Sequence, residues 1–223
     1  AAAYARFRVR PGEDTSCLNL YQAKDPRLLA PDDAFVAEGR FGFGRTMADT
    51  EAEEANPWRL LDRVFDDGAV PAIADATSLA YALHLSVGDD FILNPDSDNP
   101  VRLRFVAVLT DSIFQSELII GEQHFVRLFP AHEGYRFFLV DAPADQTAEV
   151  TAALEDRLAD YGFDVTSAPE RLAARIMLRT DLDGPTCGEH GALTNPMNAG
   201  TKAMDAILQG LDGYDRRGDP AQI

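Results

Sequence analysis

The stretch VGDDFILNPDSDNPVRLRFVAVL, Val87 to Leu109, decides how its neighbours are read. Two apolar runs flank an acidic connection holding Pro95 and Pro100, and that connection is a cation loop, an active-site loop or the turn of a hairpin. Asn94, Asp96 and Asp98 alternate as calcium-loop ligands do. Such a loop also needs Gly at its sixth position and a bidentate Glu at its twelfth; here those positions hold Asn99 and Phe105. The prolines, and Asx side chains able to bond their own backbone, fit a solvent-facing turn. The stretch therefore reads as strand, turn, strand.

Upstream, Ala69 to Asp75 (AVPAIAD) reads as a buried strand, and Ala76 to Leu85 as a compact helix that Asp75 can cap. Trp58, Leu61 and Phe65 stand at helical spacing, with Gly68 as a stop. MADTEAEEANP is an acidic connector with room for one helical turn. From Asp14 to Arg45, Pro26, Pro31, Gly39, Gly42 and Gly44 break the periodicity, predicting a long structured loop with one short strand around Cys17 to Tyr21. YARFRVR at the start alternates with period two, as a half-buried strand does.

Downstream, Ser116 to Ile120 predicts a strand and Glu122 to Phe129 a short helix closed by Pro130. YRFFLVD is a further strand. In DQTAEVTAALEDRLADYGF, Val150, Leu154, Leu158 and Tyr161 form one helix face and Gly162 the stop. FDVTS follows as a strand, which completes a β-α-β pattern. Beyond Ala174 the chain turns rich in Gly, Pro and Asn before a modest helix from Thr201 to Leu211.

Lys and Arg number 20 against 37 Asp and Glu, a net charge of −17. Such a field repels phosphate backbones and excludes nucleic acid as a partner. No window approaches the roughly 20 apolar residues of a membrane helix, and no signal segment opens the chain. Cys17 and Cys187 lie outside any C-x-x-C spacing. They leave two readings: one long-range disulfide, which an oxidising compartment favours, or two unconnected thiols.

Catalytic motifs are missing from the sequence. Gly39, Gly42 and Gly44 are out of order for a dinucleotide fingerprint, and no Gly-Lys-Ser/Thr follows; they are expected to allow tight turns beside Phe41 and Phe43, which can plug into a core. His84, His124, His132 and His190 show no metal-binding spacing, and Cys187 with His190 makes only a ligand pair. Ser78, Ser112 and Ser116 lack a nucleophile elbow. The pairs Asp66-Asp67 and Asp89-Asp90 read as turn or cap residues. No catalytic, cofactor-binding or metal residue is assigned.

The order of these pieces is informative. TSCLNLYQAKDPRLL, VPAIADATSLAYALHLSVGDDFIL, VRLRFVAVLTDSIFQSELIIGEQHFVRLFP and GYRFFLVD with its β-α-β unit together resemble the extracytoplasmic domain of MacB/FtsX-like ABC-transporter permeases, over roughly residues 4 to 173. PAIAD, a small helix, an L-x-VGD turn and a V-x-V-L strand leading to D-S-x-F-Q-S carry the likeness. The resemblance implies an α+β, two-lobed domain: a β-α-β lobe from 1–56 and 131–173, and an inserted β-rich lobe from 57–130. Residues 174–223 stay an unassigned tail.

The same resemblance implies a non-catalytic domain without cofactor, looped between two membrane helices on the periplasmic face of the bacterial inner membrane, here as an excised soluble piece. It would couple ATP-driven helix motion to an extracytoplasmic substrate or partner. Its implied partners are the remaining permease helices, a separate ATPase subunit, and a second permease copy or an extracytoplasmic protein. Two other readings stand beside it: a soluble hydrolase with loop-borne Asp111, His124 and His132, and a free-standing extracytoplasmic binding module.

Overall fold

The computed structural model describes residues 3–13, 25–97, 99–115, 117–158 and 165–169. Cys17, Cys187, Asp98 and the 174–223 tail lie outside them, and with them the disulfide question and the strand expected around Cys17. The chain divides into two units, Ala1–Asp164 and Val165–Ile223. Of the second, only 165–169 are described.

In chain order the first unit runs β1 (Ala3–Arg10), β2 (Leu28–Pro31), α1 (Asp33–Glu38), β3 (Gly42–Thr46), α2 (Glu51–Ala55), a 3-10 helix (Pro57–Asp62) and β4 (Val70–Asp75). A π-helical turn (Ser78–Ala82), β5 (Asp90–Leu93), β6 (Val101–Thr110), β7 (Leu118–Ile120), α3 (Glu122–Leu128), β8 (Phe137–Asp141), a short 3-10 turn (Ala144–Gln146) and α4 (Thr147–Leu158) follow. This is an α+β fold.

The strands form one mixed sheet in the order β3-β6-β4-β7-β2-β1-β8, with β5 also on β6. β4 runs parallel to β6 and β2 to β7; the other pairs are antiparallel. β5 pairs with β6 from Leu93↔Val101 to Asp90↔Arg104, so the opening stretch is the hairpin that its prolines and Asx residues predict. In the connection, the Ser97 amide donates to the Asn94 carbonyl at 3.0 Å. Strands β1, β2 and β3 come from 1–56, β8 from 131–173, and β4 to β7 from 57–130; all share this sheet.

Continuous apolar runs such as VPAIAD belong to strands covered on both faces, and every residue of β4 is buried. Alternate residues feed two cores. Ala72, Ala74, Phe105, Leu118 and Ile120 join Leu79, Leu83 and Phe125 on one side. Ile73, Val106, Leu109 and Ile119 join Phe7, Phe35, Trp58 and Phe114 on the other. The second core is aromatic: Phe114 stands 5.4 Å from Phe7, 5.1 Å from Phe41 and 6.2 Å from Phe137, with all three ring pairs tilted rather than stacked face to face, as the ring quadrupole disfavours the sandwich.

Several expectations are corrected. Residues 25–46 are not one loop, since β2, α1 and β3 lie within them. Only Gly39, in the left-handed C-cap of α1 at φ 65°, serves a turn. Gly42 and Gly44 lie inside β3, where a Cβ would stand 2.9 Å from Thr110 Oγ1 and 3.2 Å from Val108 Cγ2, so their role is close strand approach. Phe41 and Phe43 do pack on the aromatic core. The helix at Trp58 is a single 3-10 segment, because Pro57 and the Asn56 side chain, which accepts from the Trp58 amide at 3.2 Å, set its start. The strand expected to close the β-α-β pattern does not form over Val165–Ser167.

Candidate functional site

Strand β1 presents Ala5 and Phe7 to the aromatic core. Its alternate residues, Tyr4, Arg6, Arg8 and Arg10, face the other way. Each of the three arginines meets a carboxylate carried by a different segment. Arg6 Nε donates to Asp32 Oδ2 at 2.8 Å, and the other oxygen of Asp32 caps α1 by accepting from the Phe35 amide at 3.0 Å. Arg8 Nε donates to Oε1 of Glu122, the first residue of α3, at 2.7 Å. Arg10 pairs with Asp25.

Aromatic rings complete this brace. The Tyr135 ring lies 4.5 Å from the Arg6 guanidinium carbon and 4.9 Å from that of Arg8, within the range where a cation is drawn to a π face. Its hydroxyl donates to the same Glu122 Oε1 at 2.8 Å. Burial, followed by the bond to Glu122, pushes the Tyr135 phenol up, so it stays protonated and donating. Phe129 receives Arg10 at 5.1 Å. One strand is thereby fixed to the N-terminus of α1, to the N-terminus of α3 and to the segment at Asp25.

At its far end β1 pairs antiparallel with β8, Ala3 opposite Asp141 and Phe7 opposite Phe137. On the outer face of this pair Tyr4, Phe138 and Val140 are exposed. Among the described residues, the first and last strands in chain order are therefore neighbours.

A second charged cluster ties β5, β6 and the turn before β4. Arg104 Nε donates to Asp90 Oδ1 at 2.7 Å and its Nη2 to Asp67 Oδ2 at 2.8 Å; Arg102 reaches the same Asp67 carboxylate and its carbonyl. The Phe65 ring lies 4.8 Å from Arg104. Arg104 holds Asp67 below the ordinary carboxylate range. Asp67 and Asp89 do serve turns, accepting from the Ala69 and Ser86 amides, but Asp67 and Asp90 also form this ion-paired cluster.

The residues weighed for catalysis fall in three segments. Asp111 is exposed at the turn after β6, with φ 47°. His124 is buried on α3, its ring engaged with Arg127 and the Arg63 backbone. His132 follows α3, its ring 6.4 Å from that of Phe129. Both neighbours of the His124 ring are thus groups other than Asp111 and His132. Among the described residues, no group of three or more His, Cys, Asp or Glu side chains could hold a metal ion, and no helix is long and apolar enough to cross a membrane. The residues of the brace escaped sequence reading because their partners lie 26, 114 and 15 positions away.

No protein-family model matches the chain, and no curated protein matches it. Among solved structures, it is similar to the periplasmic region of MacB from Actinobacillus actinomycetemcomitans, at 11% identity over 82% of this chain and 77% of that one, with a TM-score of 0.37. It is also similar to the extracellular domain of the noncanonic ABC-type transporter YknZ from Gram-positive bacteria, at 15% identity over 71% and 74%, with a TM-score of 0.33. At these scores neither likeness assigns a role to any residue of this chain.

Proposed function

We propose that this chain is a non-catalytic extracytoplasmic domain of a MacB/FtsX-like ABC-transporter permease, which couples ATP-driven motion of membrane helices to an extracytoplasmic substrate or partner. Its partners would be the remaining permease helices and a separate ATPase, together with a second permease copy or an extracytoplasmic protein.

One observation carries the reading. In this reading helix motion reaches the sheet through its outer strands, and β1 and β8 are paired there, Ala3 opposite Asp141. Motion arriving at that end meets a strand braced at three places, so it is passed on to α1 and α3 as a body rather than absorbed locally. The stretches that carry the sequence resemblance add support. PAIAD falls in β4, L-x-VGD turns into β5, V-x-V-L lies in β6, and D-S-x-F-Q-S leads to β7, all within one sheet.

The test is topological. In the full-length gene product with every native cysteine changed to Ser, Cys17 and Cys187 among them, Val64→Cys places a thiol at a position 85% exposed. A membrane-impermeant maleimide added to intact cells with a permeable outer envelope should label that introduced thiol, and the product should sediment with membranes. Labelling only after lysis would overturn the proposal.

A further inference from the structure

Strand β3 lies at one end of the sheet, and among the described residues only β6 pairs with it. Its register shifts between Phe43 and Thr46, and a bulge of that kind interrupts a ladder. None of its five residues is buried. The strand nevertheless covers the aromatic core. Phe43 stands edge-on to Trp58 at 5.3 Å, and Phe41, just before the strand, lies 5.1 Å from Phe114 and 6.2 Å from Trp58. Trp58 and Phe114 are fully buried, while Phe41 and Phe43 are half-buried above them.

Phe41 is held at φ 77°. The other non-glycine residues at positive φ among those described are His84, Asn94 and Asp111, types that tolerate left-handed backbone. In Phe41 the Cβ crowds the following carbonyl oxygen, which weighs against this conformation by about tenfold. Its ring contacts keep it there, and the strain disappears if the ring leaves.

The segment is pinned on both sides. Before it, Trp58 Nε1 donates to the Arg40 carbonyl at 2.6 Å and Asn56 Nδ2 to the Val36 carbonyl at 2.7 Å. After it, the Met47 amide donates to the Val106 carbonyl at 2.8 Å, and the Met47 side chain packs on both cores. Between these pins stand one strained residue and a bulged, one-sided strand.

We propose that residues 41–46 form a detachable strap. Released between its pins, it bares the β6 edge from Ala107 to Thr110 together with the rings of Trp58 and Phe114, a site for an extended segment of a partner protein. Such a segment adds a strand, with main-chain bonds for affinity and alternate side chains for specificity. The strap it replaces defines its chemistry. Aromatic residues two apart take the places of Phe41 and Phe43. Glycine alternates with them, because a Cβ at Gly42 would stand 2.9 Å from Thr110 Oγ1 and one at Gly44 3.2 Å from Val108 Cγ2. This site does not depend on the membrane reading above.

The experiment is native-state amide exchange on the whole chain at several low urea concentrations. In wild type, the β3 amides bonded to β6 should exchange with a urea slope well below that of β4, since opening the strap exposes little surface. Phe41→Ala and Phe41→Gly both delete the ring, but only Ala keeps the strained Cβ. On ordinary backbone the Gly variant would be the less protected; here it should keep about fivefold more β3 protection than Phe41→Ala. In a second arm the capped peptide RFGFGRT is titrated in and followed through Trp58, the sole tryptophan. It should bind Phe41→Ala more tightly than wild type, by the factor by which that change raises strap opening. One urea slope shared by β3 and β4 in wild type would overturn the strap whether or not the variants fold, as would better protection in Phe41→Ala than in Phe41→Gly. Equal peptide affinity despite increased opening would overturn the site.

Discussion

Glu122 offers a direct measure of how firmly β1 is clamped to α3. Its Oε1 accepts from Arg8 Nε at 2.7 Å and from the Tyr135 hydroxyl at 2.8 Å, and the side chains of Arg8 and Glu122 are only 20% and 18% exposed. Glu122→Gln leaves an oxygen able to accept both bonds but removes the charge. Charge-assisted bonds contribute about 1.5–3 kcal/mol and neutral ones about 1, so this change should cost about 1 kcal/mol. Glu122→Ala leaves two half-buried donors without their acceptor and should cost about 2–4 kcal/mol. In a double-mutant cycle, Arg8→Met with Glu122→Gln should fall short of additivity by about 1 kcal/mol. Urea unfolding followed through Trp58, the sole tryptophan and fully buried, reads all four proteins, with the denaturant slope unchanged. A coupling within about 0.3 kcal/mol of zero would show that Arg8 and Glu122 merely lie side by side, and the brace would fail as an explanation.

Other outcomes follow from particular residues. Arg63 grips Glu53 through two bonds of 2.7 and 2.6 Å and holds that carboxyl well below the usual range. The stabilisation is present above the unfolded-state value of about 4.3 and fades as pH falls, so Glu53→Gln should flatten the acid limb of a stability–pH curve; an unchanged limb would contradict this. Trp58→Phe deletes the bond from Nε1 to the Arg40 carbonyl at 2.6 Å and part of a buried ring, for a loss of about 2 kcal/mol by chemical unfolding monitored by circular dichroism. Gly121→Ala should lose about 1–3 kcal/mol by crowding the Leu61 carbonyl. Gly68→Ala has open space but φ 75°, and should lose about 1 kcal/mol from backbone strain alone; equal effects of repacking both sites with Ser would argue against that distinction.

Much of the fold was legible because its elements announce themselves locally. The apolar run at β4, the proline-bounded turn between β5 and β6, and the Phe125–Leu128 face of α3 each carry their own period or punctuation. Residues 25–46 misled because Pro31 and the glycines look like breakers. Pro31 ends β2, opposite Phe7, and Gly42 and Gly44 make room for neighbours on β6. The alternation in YARFRVR predicted a strand, yet nothing in it could say which acids Arg6, Arg8 and Arg10 would find. Those choices are made by tertiary packing, as is the place of His124 between α3 and the 3-10 helix. Over Val165–Ser167 no strand forms, because a short apolar-polar pattern states a preference that only a partner strand can satisfy.

The pairing of β1 with β8 also has a mechanical consequence. Because Ala3 and Asp141 face each other at the end of an antiparallel ladder, a tug drawing those two residues apart loads the rungs one after another, as a zipper is opened. A tug along the strand axis instead loads every rung at once and is resisted by their sum. The strand pair would therefore yield readily to sideways separation while standing stiff against a lengthwise thrust.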